Sequence, residues 1–187
     1  MNPFAIIHKY YDPESELYRI LVTHSVLVAK KALDLAVNFQ TRNPEAQIDL
    51  SFIYEAAMLH DLGIFRCDAP VIFCTGTEPY VRHGVIGREL LEGEGLPRHA
   101  LVCERHTGAG ISREDVLRQA LPLPVRDYLP VTIEEKIICL ADKFYSKTPH
   151  KLFREKKPQR IHEKLGKWGP EVVARFEDLC RVFLPNN

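Results

Sequence analysis

The chain has 187 residues, 45% hydrophobic and 27% charged, an ordinary globular balance that fits one domain better than two. Lys plus Arg and Asp plus Glu are equal at 25 each, which argues against a protein built to coat duplex nucleic acid or an acidic membrane. The five cysteines are odd in number and lack a CxxC pair, which argues against a disulfide framework and a thiolate zinc site; they are expected as reduced thiols packed as small hydrophobes.

In chain order, Met1–His8 has no basic region followed by an apolar core, so it does not read as a signal peptide. Asp12-Pro13 reads as the N-cap and first residue of a long amphipathic helix through Leu17, Ile20, Leu21, His24 and Val28 to about Phe39. Asn43-Pro44 marks a loop. Asp49 or Ser51 then caps a helix carrying Phe52, Ile53, Ala56, Leu59 and His60, with Gly63 placed to end it. The stretch 67–81 reads as a long loop, His83–Gly93 as a short helix, and Pro97 opens another, closed by Gly108 and Gly110.

The stretch 121–130 is irregular. Thr132 and Glu135 form a capping box for a helix through Ile137, Ile138 and Tyr145. The basic stretch 151–167 reads as a loop plus a short helix, a solvated face in preference to the rim of a nucleotide site, and Trp168 as core packing. Gly169-Pro170 precedes a last helix carrying Val172, Phe176 and Phe183. No strand alternation is visible, and no apolar run approaches the roughly 20 residues that span a bilayer. The expectation is an all-α, single-domain helical bundle over residues 1–187 in the cytoplasm, with a C-terminal helical extension over 151–187.

Chemistry enters at His60-Asp61, an aspartate near the end of a helix, where the macrodipole disfavours it. His24 lies in an apolar stripe between Ile20 and Val28, and Asp142 follows Ile138 on a later helix in the same way. A carboxylate on an apolar face costs several kcal/mol when buried alone, so it calls for a cation or several donors. His83 precedes Ile86 and Leu90, and His106 follows Val102 and Cys103, so both also point inward. His99 shares the face of His106 and is a reserve ligand or substrate contact. Imidazoles and carboxylates without sulfur suit Mn, Fe, Zn, Ni or Co.

The order His24, His60-Asp61, His83, His106, Asp142 resembles the HD superfamily in its extended form, and His60-Asp61-Leu62-Gly63 is similar to its HDIG signature. Arg105-His106-Thr107-Gly108 and Leu140-Ala141-Asp142-Lys143 look like later motifs of HD-type diadenosine tetraphosphate hydrolases and of small HDIG-type proteins. The motif-bearing stretch runs from about residue 21 to 145.

The resemblance implies that His24, His60, Asp61 and Asp142 hold a first divalent ion. His83 and His106 hold a second, with Asp61 bridging. It also implies a phosphohydrolase that cleaves a phosphoester or phosphoanhydride of a nucleotide or related small molecule through a metal-bound hydroxide, with Asp61 and His60 as catalytic residues. One or two ions are expected, Fe or Mn favoured and Zn, Ni, Co or Mg admitted. Two ions less the charges of Asp61 and Asp142 leave a surplus that matches phosphate oxygens. Arg66, Arg82, Arg105 and Lys143 are candidate phosphate contacts.

The pattern departs from the family at Ile64, where many phosphodiesterase relatives carry lysine. It also lacks a GYP-type motif and an acidic pair after Asp61, which disfavours cyclic dinucleotides and guanosine tetraphosphate. The same ligands serve di-iron oxygenases of the superfamily, and a regulatory module with a bound metal is the remaining alternative.

Overall fold

The computed structural model describes residues 1–184; the last three residues of the expected C-terminal extension lie outside it. The all-α expectation holds. The described residues form nine α-helices, α1 (Pro3–Tyr10), α2 (Glu16–Arg42), α3 (Leu50–Leu59), α4 (His83–Gly93), α5 (Pro97–Arg105), α6 (Arg113–Arg118), α7 (Ile133–Lys143), α8 (Pro158–Leu165) and α9 (Pro170–Phe183). Short 3-10 turns link several of them. Strands β1 (Asp68–Ala69) and β2 (Cys74–Thr75) pair antiparallel inside the segment expected as a loop. Among the described residues no helix is long and apolar enough to cross a membrane.

Two cap expectations need correction, and two features were not expected. The long helix is capped by Ser15, whose hydroxyl accepts from Tyr18 N; Asp12 instead accepts from Glu14 N in the preceding turn. Pro3–Tyr10, to which no element was assigned, is a helix with the Asn2 side chain as its cap and Pro3 at its first position. The reciprocal capping box lies at Ser112 and Asp115, opening α6. At Thr132 only the hydroxyl half forms, because the Glu135 carboxylate accepts from Val131 N and Arg105.

Gly63 does not end α3, which stops before His60; it lies within the 3-10 turn Leu62–Arg66. What the turn requires of Gly63 is the absence of a side chain. A Cβ there would lie 2.3 Å from His83 O and 2.6 Å from Gly87 N. Gly87 is under the same constraint, since its Cβ would meet Cys103 Sγ at 2.1 Å. Two glycines therefore let the turn after Asp61 sit directly on α4, and α4 directly on α5.

The core is helix against helix. α2 packs on α3 and α7, α4 on α5 and on the 3-10 turn, and α9 on α7 and α2. Leu21, Ile53, Met58, Leu59, Leu62, Ile137 and Phe176 are buried in one cluster that draws on every α-helix except α6, whose Val116 packs in a smaller cluster with Val85 and Tyr128. Burying a side chain of this size contributes roughly 1.5–3 kcal/mol. Cys67, Cys74, Cys103 and Cys139 are buried, and none of the five cysteines is in a disulfide.

Candidate metal centre

Buried polar groups gather where α2, the end of α3, α4, the end of α5 and α7 converge. His24 comes from α2, His60-Asp61 from the exit of α3, His83 from the first position of α4, His106 from the residue after α5, and Asp142 from the last turn of α7. All six are at most 8% exposed.

The Asp61 carboxylate is the hub, its two oxygens facing different partners. Oδ2 lies 3.0 Å from His60 Nε2 and 3.3 Å from His24 Nε2. Oδ1 lies 3.4 Å from His106 Nε2 and 3.5 Å from His83 Nε2. Asp142 Oδ1 closes the first group, 3.0 Å from His24 Nε2 and 3.5 Å from His60 Nε2. The six thus form two donor sets that share Asp61 and could each hold a metal ion.

The imidazoles are held in one orientation by their other nitrogens. His60 Nδ1 donates to Ala57 O at 2.6 Å, His83 Nδ1 to Tyr80 O at 2.6 Å and His106 Nδ1 to Cys103 O at 2.8 Å. A neutral ring that spends its proton at Nδ1 presents a lone pair at Nε2. Three lone pairs therefore aim at the carboxylate. The Nε2 atoms of His83 and His106 are only 3.1 Å apart. His60 Nε2 and Asp61 Oδ1 are buried with no hydrogen-bond partner. Lone pairs packed against lone pairs and against Asp61 Oδ1 fit a divalent ion.

Electrostatics agree with that reading at His83 and His106, whereas at His60 the two carboxylates favour a positive charge beside Nε2, a proton or a metal ion. Burial first, and then the neighbouring His106, lower the His83 pKa to about 3, so the ring is neutral. Burial and His60 likewise hold His106 low. Burial opposes a charged His60, yet Asp61 and Asp142 outweigh it and raise its pKa to about 9. Burial also opposes the Asp61 and Asp142 charges, but His60 and Lys147 at Asp61, and Lys143 and Lys147 at Asp142, keep both well below the usual carboxylate range.

Lys147 is the residue that sequence reasoning missed. Its Nζ lies 2.7 Å from Asp61 Oδ2, with the side chain 14% exposed. It stands beyond the end of α7, where no periodicity marks it. Lys143, expected as a phosphate contact, stands beside the cluster: Nζ lies 2.6 Å from Asp142 Oδ2 and donates to His106 O.

The other expected contacts are elsewhere. Arg105 donates to both oxygens of Glu135. Arg66 is exposed, with its guanidinium over the Phe65 ring. Arg82 pairs with Glu78. His99 faces Glu55 at 3.3 Å and packs edge-on against Phe52 between α3 and α5. None of Arg66, Arg82, Arg105 and His99 lines the cavity that opens beside the cluster. For Arg105 the reason is helix geometry: the residue next to His106 points about 100° away from it.

That cavity has a volume of about 610 Å³. His83, His106, Asp142, Lys143 and Lys147 line one end, and Ile161, Lys164, Leu165, Trp168 and Val172 line another part of its wall. Two expectations fall here. The basic stretch is not only a solvated face, since Lys156 and Lys164 line the cavity, and Trp168 is 54% exposed rather than core.

The HD domain family model matches residues 21–147. An uncharacterised protein of Methanocaldococcus jannaschii is 32% identical over 81% of this chain and 81% of its own length. Two proteins named tRNA (cytidine(56)-2'-O)-methyltransferase also match. The one from Picrophilus torridus is 37% identical over 52% of this chain and 25% of its own length. The one from Thermoplasma volcanium is 29% identical over 67% and 32%. No solved structure matches the chain.

Proposed function

The chain belongs to the HD domain family, and from that premise we propose that it is a metal-dependent phosphohydrolase acting on a small phosphorylated molecule, with a nucleotide as the first class to test. His24, His60, Asp61 and Asp142 would hold one divalent ion, and His83, His106 and the second oxygen of Asp61 another. The observation that carries the reading is the convergence of Nε2 lone pairs on both oxygens of one buried carboxylate. The sulfur-free donor set suits Mn or Fe, and also Co, Ni or Zn.

A divalent ion in such a site supplies Lewis acidity toward a phosphoryl oxygen and lowers the pKa of water to about 7. The chain's own residues do the rest. Asp61 joins the two donor sets and fixes their spacing. Lys143 and Lys147 cancel the charges of Asp142 and Asp61, so the charge of bound ions remains available for an anionic substrate. Both ammonium groups lie at the cavity wall, within reach of phosphate oxygens. Methyl transfer, named for two relatives, is not carried to this chain, because the matches span about a quarter and a third of those proteins.

The test is phosphate release from a panel of nucleotides and dinucleoside polyphosphates, with Mn(II) or Fe(II) supplied and with oxygen excluded. Metal-dependent release that Asp61→Ala abolishes supports the proposal. Oxygen consumption without phosphate release would move the chain to oxygenase chemistry.

A further inference from the structure

The family match ends at residue 147, yet part of the cavity wall comes from the chain beyond it. Trp168 stands there with 54% of its surface exposed. Its backbone is nevertheless held: Trp168 O accepts from Gln119 Nε2 at 3.3 Å and from Arg118 Nη2 at 3.4 Å. An exposed indole on an anchored backbone, beside the apolar side chains of Leu165 and Val172, leaves a flat apolar surface open to a ligand.

Charge on the same wall is unbalanced. Lys164 lines the cavity, and among the described residues no carboxylate lies within ion-pair distance of it. Lys156 also lines the cavity, but its Nζ donates to Lys143 O at 2.8 Å and to Tyr145 O at 2.5 Å, so it braces the segment leading to Lys147. Lys143 and Lys147 line the same cavity, and burial first, then Lys143, hold the Lys164 amine below its ordinary value against the opposing pull of Asp142. An ammonium facing other ammonium groups across a cavity favours an anion between them.

We propose that Lys164 and Trp168 form a second subsite, in which Lys164 takes an anionic group other than the reacting phosphate and Trp168 stacks on a flat apolar body. The ligand class is a small molecule with two anionic groups and a planar apolar portion, and the simplest probe is a nucleoside diphosphate. The inference rests on the metal end being the place where the reacting phosphate is held.

Trp168 is the chain's single tryptophan, so its fluorescence reports on this wall alone. The experiment titrates the full chain with AMP and with the non-hydrolysable α,β-methylene analogue of ADP, following fluorescence, and repeats the titrations by calorimetry for Lys164→Ala and Trp168→Leu. Saturable quenching by the analogue is expected. Lys164→Ala should weaken the analogue roughly tenfold to a hundredfold and leave AMP within about twofold. Trp168→Leu should weaken both by about tenfold. Equal loss of both ligands in Lys164→Ala, unchanged affinities in both variants, or unchanged fluorescence at saturation would overturn the subsite. So would failure of the analogue to bind, even where metal-dependent phosphate release is found. Phosphate release alone tests the reading of the metal end, so the two can fail separately.

Discussion

His83 Nε2 and His106 Nε2 lie 3.1 Å apart, and the Nδ1 of each ring is already bonded to a backbone carbonyl. Two lone pairs in van der Waals contact repel, and a cation between them removes the repulsion. Metal should therefore stabilise the fold as well as equip the site. At a hundredfold excess over Kd, one ion adds about 2.7 kcal/mol, and a chain of this size gains roughly 2–4 °C in Tm per kcal/mol. Differential scanning fluorimetry with Mn(II) against chelator should show a rise of roughly 5–11 °C. His83→Asn should lose part of that rise. An equal rise in this variant would contradict the role given to His83.

Lys147 acts as a resident counter-charge for Asp61. In Lys147→Met the chelated protein should lose on the order of 3 kcal/mol, the cost of leaving a buried carboxylate unpaired. Bound metal should restore most of that. Urea unfolding with and without metal reads both quantities. A metal-induced gain no larger in Lys147→Met than in the parent chain would refute the pairing.

The approach of α4 to α5 depends on Gly87. In Gly87→Ala the new methyl meets Cys103 Sγ, and overpacking of this kind costs about 1–3 kcal/mol. The displaced α4 carries His83 away from Asp61, so metal affinity should fall together with stability. Cys103→Ala makes room for the methyl, and the double variant should recover at least half of the loss in a double-mutant cycle. Simple additivity of the two changes would show that the clash is not the cause.

Asp115 ties the C-terminal wall to the site. Its carboxylate accepts from Ser112 N and pairs with Arg118 and Arg175, while Arg175 also donates to Ala109 O and Gly110 O beyond His106. Burial opposes the charge, but the Ser112 backbone and Arg175 hold the pKa below its ordinary value. A depressed folded-state pKa gives stability that is complete above the unfolded value, about 3.9. That stability is lost as pH falls through the folded one. Unfolding free energies between about pH 6 and pH 3 should therefore fall more steeply in the parent chain than in Asp115→Asn. Parallel curves would remove Asp115 from the account.

The six clustered residues were legible because each sits on an apolar face or in a short motif, where a charged or imidazole side chain needs an explanation. The helices followed from the same periodicity. Lys147 was not legible: it lies past the end of α7, and its partner Asp61 is distant in sequence. Arg82 and Arg105 misled because adjacency in sequence was taken for adjacency in space, whereas backbone geometry turns neighbours aside. Asn2-Pro3 carries the same signature that was read at Asp12-Pro13, and only packing against α3 decides that the first of these opens a helix. Trp168 could not be placed from sequence, since its exposure depends on how α6, α8 and α9 meet.

The central claim is that the imidazoles and the Asp61 carboxylate surround metal rather than protons. Anomalous diffraction from crystals grown with Mn(II) tests it most directly. The account predicts a peak within coordination distance of His83 Nε2, His106 Nε2 and an Asp61 oxygen, and a second peak beside His24, His60 and Asp142. Density for the six side chains with no anomalous peak among them, in protein saturated with Mn(II), would contradict it.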